Sequence, residues 1–152
     1  MSTKQLSEKY GASGLKGGQA EEWLLEKLEN IYDVVQDYRE DMRFQRRGID
    51  FGIKKASWRN TYTLDCKANL KQDRFFLELS KDGKPGWFWK SQADRIYHAD
   101  LDTGECLWYG LPEMRSAVAC SSLPVVCYNN TVLMPIKLPH TIKAVNDAVT
   151  MM

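Results

Sequence analysis

Residues 48–69 read GIDFGIKKASWRNTYTLDCKAN, and the reading of this stretch decides the fold. Ile49, Phe51 and Ile53 alternate with Gly48, Asp50 and Gly52. After a polar break from Lys54 to Asn60, Tyr62, Leu64, Cys66 and Ala68 alternate with Thr61, Thr63, Asp65, Lys67 and Asn69. Successive side chains of a strand point to opposite faces, so period two predicts two strands and the break predicts an antiparallel hairpin. If the apolar members face the core, parity turns Asp50 to the other face and sets Asp65 and Lys67 there together. Two carboxylates at close range repel unless a cation joins them. A hard divalent ion, Mg²⁺ or Mn²⁺, takes oxygen ligands, and the Cys66 carbonyl offers one more beside Asp50 and Asp65. Such an ion polarises a phosphoryl oxygen and acidifies water, while a neighbouring lysine orients that water and offsets phosphate charge. The bland alternative is a surface hairpin with scattered charge and an ordinary salt bridge.

Upstream the period is helical. From Gln19 to about Tyr32, Ala20, Leu24, Leu28 and Ile31 fall on one stripe that reaches on to Val35, with Trp23 and Leu25 beside it. The first 18 residues hold five glycines or alanines among polar residues and predict a flexible lead-in. Downstream, Phe75, Leu77 and Leu79 predict a third strand of the same sheet. A turn at 82–86 leads to Trp87 and Trp89, read as strand residues on one face, and a short helix around 91–95. Ile96 to Leu101 and Glu105 to Tyr109 bracket Asp102-Thr103-Gly104 as a hairpin. Pro112 to Ser121 predicts a helix with proline in its first turn. Val125 to Tyr128 and Thr131 to Ile136 flank Asn129-Asn130, again a hairpin. The order is that of a mixed α/β domain built on a central sheet.

With 152 residues and 43% hydrophobic content, the chain suffices for one domain with its own core. No apolar run approaches the roughly 20 residues of a membrane span, and the polar N-terminus lacks the apolar stretch of a secretory signal, so a cytoplasmic location is expected. Cys66, Cys106, Cys120 and Cys127 show no CxxC spacing and read as reduced, mostly buried thiols. The net charge of +1 conceals an uneven distribution. Residues 1–42 carry 5 basic and 9 acidic side chains, residues 43–95 carry 13 and 6, and residues 96–152 carry 3 and 5. The positive middle third suits a polyanion. No Walker motif, dinucleotide fingerprint or nucleophile elbow is present, so no organic cofactor is expected.

Gly48-Ile49-Asp50, fourteen residues, then Asp65-Cys66-Lys67 resembles the bipartite signature of the PD-(D/E)XK nuclease superfamily, with Ile49 where many members carry proline. The resemblance covers about residues 17–97. It implies a restriction-endonuclease-like αβββαβ core, here with a mixed sheet and C-terminal β/α additions, in a domain spanning 19–152 whose core is about 19–110. It implies metal binding by Asp50 and Asp65 and service of the attacking water by Lys67. A glutamate from the first helix often joins, within Gly-x-x-x-Glu, which Gly17 to Glu21 matches; Glu22 is the rival. At about 100° per residue Glu21 lies roughly 60° from Leu24 and Glu22 roughly 160° away, which favours Glu21. Its alternative reading is an acid placed well for the helix dipole. Gly86 to Tyr97 is similar to a segment of restriction-like and phage nucleases, in which Gln92 corresponds to a late polar residue flanking the active site.

The resemblance thus implies an Mg²⁺- or Mn²⁺-dependent DNA endonuclease of phage, mobile-element or resolvase kind, active in a bacterial or phage-infected cell, with a homodimer in keeping with cutting two strands. The competing expectation is a non-catalytic module of the same fold that binds nucleic acid or another protein. Arg43, Arg46 and Arg47, just ahead of Asp50, are candidate phosphate contacts, and Lys54, Lys55 and Lys90 extend the set, with Lys71 and Arg74 beyond. Trp58, between Lys55 and Arg59, is the candidate for stacking on DNA, whereas Trp87 and Trp89 read better as core. His98 and His140 have no partner at metal-ligand spacing.

Overall fold

The computed structural model describes the backbone of residues 3–71 and 74–137 and the side chains from Gly17 onward within that range. The long first helix, α1 (Thr3–Ile31), lays Ala20, Leu24 and Leu28 against one face of a sheet. Burial of side chains such as Leu24 and Leu28 contributes roughly 1.5–3 kcal/mol each. The buried stripe ends at Leu28: Ile31 is 59% exposed, and Val35 belongs to a strand. Helix also extends back to Thr3, through residues expected to form a lead-in without regular structure. Extending an existing helix costs far less than nucleating one, so its scattered glycines do not stop it.

Five strands form the first sheet: β1 (Val34–Asp37), β2 (Phe51–Lys54), β3 (Tyr62–Lys67), β6 (Arg95–Asp100) and β7 (Glu105–Gly110), in the order β1-β2-β3-β6-β7. Pairing is antiparallel except between β3 and β6, which run parallel with Lys67 beside His98. Between β1 and β2 lies the short helix α2 (Met42–Gln45), capped by Asp41, whose side chain accepts from the Arg43 amide. Phe51 and Ile53 of β2, Leu64 and Cys66 of β3, and Tyr97 and Ala99 of β6 meet α1.

The other face of this sheet is covered by a second one, which corrects the expectation of a single sheet. β4 (Arg74–Lys81) does not pair with β3. It pairs with β5 (Lys84–Pro85) and with β9 (Thr131–Lys137), and β8 (Val126–Tyr128) completes the order β5-β4-β9-β8. Phe75 and Leu77 of β4 and Met134 and Ile136 of β9 join Ile49, Ile96 and helix α4 (Leu111–Ala119) in a second core. Asn129 and Asn130 both have positive φ, as the β8–β9 hairpin turn demands. In α4, Pro112 lies in the first turn, and Leu111, Met114, Ala117 and Val118 face the core.

Residues 87–90 form a helix, α3 (Trp87–Lys90), where strand was expected, and residues 91–94, expected to begin a short helix, have no regular secondary structure. Aromatic residues favour strands in general, but here Phe88 fills the core and Arg115 of α4 donates from Nε to the Phe88 carbonyl at 2.9 Å. Tertiary packing overrides the local preference. The start of α3 lies so close to β4 that a Cβ on Gly86 would come 2.3 Å from the Glu78 carbonyl oxygen. Gly86→Ala is therefore expected to lower stability by about 2 kcal/mol or more, read as a lower urea midpoint at unchanged slope.

Among the described residues no helix is long and apolar enough to cross a membrane. Of the four thiols only Cys66 is buried; Cys106, Cys120 and Cys127 are exposed, because β7, the end of α4 and β8 lie at the margins of the two sheets. His140 lies outside the described residues.

Candidate active site

The β2–β3 register, Phe51 with Leu64 and Gly52 with Thr63, brings the start of one strand to the end of the other. Asp50 lies one residue before this pairing begins, its amide donates to the Leu64 carbonyl at 2.9 Å, and its carboxyl meets that of Asp65. Gly48, with φ +69°, makes the turn out of α2 that delivers this strand, and its carbonyl accepts from Ser91 Oγ at 3.1 Å. Both carboxyls are almost wholly withdrawn from solvent: Asp50 is 6% and Asp65 5% exposed. Asp50 Oδ2 accepts from the Cys66 amide at 2.9 Å, and Lys67 Nζ lies 3.1 Å from Asp65 Oδ2. The face of the Trp87 ring lies 4.9 Å from the same ammonium.

The electrostatics follow from crowding. Burial, above all, pushes the Asp65 carboxyl well above the usual carboxylate range; Lys67 opposes this and Asp50 adds to it. Glu21 on α1 is raised to about 7, first by burial and then by Asp50, with Arg39 and Lys67 pulling the other way. Burial works against the Lys67 ammonium, but Asp65 and then Asp50 hold its pKa above that of an ordinary lysine. Glu22 instead pairs with Arg39 at 2.8 Å. Asp50 thus acts on both Asp65 and Glu21 beside Lys67, and Arg39, the other cation felt by Glu21, is engaged by Asp37 at 2.7 Å as well as by Glu22.

Glu21 gives a stability test of this crowding. Its folded pKa is raised above the unfolded value, so the folded chain holds the extra proton between about pH 4.5 and 7 and loses stability as pH rises through that window. Glu21→Gln is expected to stabilise the metal-free protein at pH 8 by up to about 3 kcal/mol and to change little at pH 4. Urea midpoints at the two pH values measure it, and equal shifts at both would contradict the assigned cause.

Asp65 and Lys67 open onto a cleft of about 670 Å³ between the sheets, lined also by Gln45, Arg46, Gly48 and Ser91 on one side and Glu78, Lys81, Asp82, Lys84, Pro85, Trp87 and Lys90 on the other. Of the expected nucleic-acid contacts, Arg46 and Lys90 line it. Arg43 pairs with Asp41 at 2.8 Å and points outward. Arg47 stacks on Phe44 and donates from Nε to Gln92 Oε1 at 3.0 Å, so Gln92 is tied to that arginine and does not line the cleft. Lys54, Lys55 and Trp58 lie toward the far end of the hairpin; four residues of extended chain separate Lys54 from Asp50, roughly 13 Å. Trp58 is enclosed by Tyr32 and Tyr62, with ring centroids 5.5 and 5.3 Å away, and by Lys55 and Arg95. Lys71 and Arg74, both exposed, pair in an isolated antiparallel bridge.

His98, behind Lys67 on β6, is fully buried, stacks on Phe75 at 4.1 Å and meets Asn69 through Nδ1 and Tyr109 through Nε2. Burial, then Lys67, holds it well below the usual histidine pKa, so it is a neutral strut of the site's floor. Tyr109 and Asn69 carried no signal in the sequence, because their meeting depends on the parallel β3–β6 pairing.

No family model matches the chain, and no curated protein matches it. Among solved structures it is similar to a bacterial homing endonuclease, I-Ssp6803I, with a TM-score of 0.48 and 12% identity over 66% of this chain and 70% of that one.

Proposed function

We propose that this chain is a divalent-metal-dependent nuclease of the PD-(D/E)XK type that hydrolyses phosphodiester bonds in DNA, as an endonuclease. The observation that carries the reading is the burial of two carboxyls in contact, Asp50 and Asp65, with Lys67 at 3.1 Å from Asp65. Like charges directly opposite in a sheet are destabilising, and buried ones more so, unless something compensates them. Among the described residues the one cation that Asp65 meets is Lys67. The order α1, β1, β2, β3, α3, β6, with α2 inserted after β1 and β4 and β5 before α3, is compatible with the αβββαβ core that the signature implies.

The donor set fits a hard cation, since Asp50, Asp65 and Glu21 offer only oxygens. Among the described residues no three His, Cys, Asp or Glu side chains are gathered into a ready-made cation cluster. In this proposal Asp50 and Asp65 would hold the ion, completed by water, with Glu21 acting at longer range and the Cys66 carbonyl as a further oxygen. When bound, a divalent ion supplies Lewis-acid polarisation of a phosphoryl oxygen and makes water more acidic. The protein's own groups do the rest. The Cys66 amide fixes one oxygen of Asp50. Lys67 keeps its proton at Nζ, held by Asp65 and covered by Trp87, and so offers a positive donor to phosphate or water at the cleft floor. His98, Asn69 and Tyr109 hold the strand end behind it.

Incubation of the purified protein with supercoiled, linear, single-stranded and branched DNA, with Mg²⁺ and with EDTA, tests the reading. Cutting with Mg²⁺ alone is the expected result. DNA bound but left whole under every condition would favour a binding module instead.

A further inference from the structure

The cleft that exposes Asp65 and Lys67 is walled on one side by the β4–β5 hairpin. Its two-residue turn, Asp82 and Gly83 with φ of 52° and 76°, sends Lys81 and Lys84 out as an opposed strand pair. Across the cleft stands Arg46, at the end of α2, and Lys90 closes α3. All four are exposed, and none has a side-chain hydrogen bond, ion pair or ring contact among the described residues. That sets them apart from Arg39 and Arg43, whose charges are spent on Glu22, Asp37 and Asp41, and from Arg47, held by Gln92. Of the cleft's acids, Asp65 is matched by Lys67 and Glu78 Oε1 accepts from the Trp87 amide at 3.3 Å. Four unspent cations against Asp82 and Glu78 leave a positive rim around an acidic floor.

We infer that Arg46, Lys81, Lys84 and Lys90 form a phosphate track, with the β4–β5 hairpin as one wall, along which one sugar–phosphate strand of DNA is laid over Asp65 and Lys67. The inference rests on the nuclease reading and deepens it. A rim of unpaired lysines and arginines attracts a chain of phosphates by Coulomb attraction and counterion release, without reading bases. Pro85 and the Trp87 ring give the same wall apolar surface for the sugars. The acids stay clear of the DNA backbone's own charge because the cations flank them, so the strand is held at the rim and meets the floor at one phosphate. Lys54, Lys55 and Trp58, at the far end of the hairpin, lie off this path.

The test uses the full chain in EDTA, with fluorescent single-stranded and duplex oligonucleotides read by anisotropy across a salt series. Lys81→Ala/Lys84→Ala is compared with a charge-matched control, Arg59→Ala/Lys137→Ala, both pairs being exposed. The cleft pair is expected to lower the slope of log K against log salt by about 1.8 on duplex or about 1.4 on single strands, and the control to leave it unchanged. In cleavage with Mg²⁺, the same variant should raise KM at least tenfold while kcat holds. An unchanged slope, an equal loss in the control, or a wild-type protein that binds neither oligonucleotide would overturn the track. The two readings fail separately: DNA held through the track but never cut removes the nuclease, and cutting indifferent to Lys81 and Lys84 removes the track.

Discussion

Asp65→Asn is expected to slow DNA cleavage by roughly 10³-fold or more, about 4 kcal/mol of barrier, while DNA binding stays within a few-fold of the wild type. Asparagine keeps the shape of the side chain and removes the charge that meets both Lys67 and Asp50. Lys67→Ala should cost roughly 10²- to 10³-fold, the size seen when one donor to a developing oxyanion is lost. Neither side chain carries the weight of binding if phosphates are held at the rim of the cleft. Single-turnover rates on a linear duplex measure the first effect, and anisotropy in EDTA measures the second. Activity equal to wild type in either variant would remove the assignment.

The second large effect is expected at Asp50. Asp50→Asn should lose cleavage to the same degree as Asp65→Asn, since the proposed ion is shared by the two acids. It should also abolish a response of the folded protein to metal. In the wild type, 10 mM Mg²⁺ acting on a site of millimolar affinity is expected to stabilise the fold by about 1.4 kcal/mol, raising the melting temperature by roughly 3–5 °C. In Asp50→Asn that rise should vanish, although the metal-free variant should itself melt higher at pH 8 through relief of the crowding on Asp65 and Glu21. An inactive protein more stable than its active parent is the signature of a site built against its own repulsion. A metal response preserved in Asp50→Asn would place the ion elsewhere.

The hairpin from Gly48 to Lys67 was legible because period two and the placement of its charges are local properties. Glu21 was legible as well: the α1 stripe orients it, and one helical turn of geometry separates it from Glu22. What the sequence did not carry was pairing at a distance. Phe75, Leu77 and Leu79 announce a strand, but nothing near them says that the partner is Thr131–Lys137 and not Tyr62–Lys67. The cleft has Asp65 and Lys67 of one sheet and the β4–β5 hairpin of the other among its walls, so Lys81 and Lys84 could not be singled out before the second sheet was known. β1 was missed for a different reason. It is four residues long with its strand edge open, and Val35 falls by coincidence on the helical period of Leu24, Leu28 and Ile31. Trp58 and Arg43 show the opposite error. Aromatic and basic residues near an acid invite a nucleic-acid reading, yet Tyr32, Tyr62 and Asp41 already occupy them.

Equilibrium binding of Mn²⁺ at pH 8, followed through the paramagnetic signal of the free ion, tests most directly whether the facing acids hold a cation. Saturable binding by the wild-type protein, weakened tenfold or more in Asp50→Asn and in Asp65→Asn and unaffected by Lys81→Ala/Lys84→Ala, is the expected result. Binding of equal strength in the wild type and both acid variants, or none in the wild type, would contradict it.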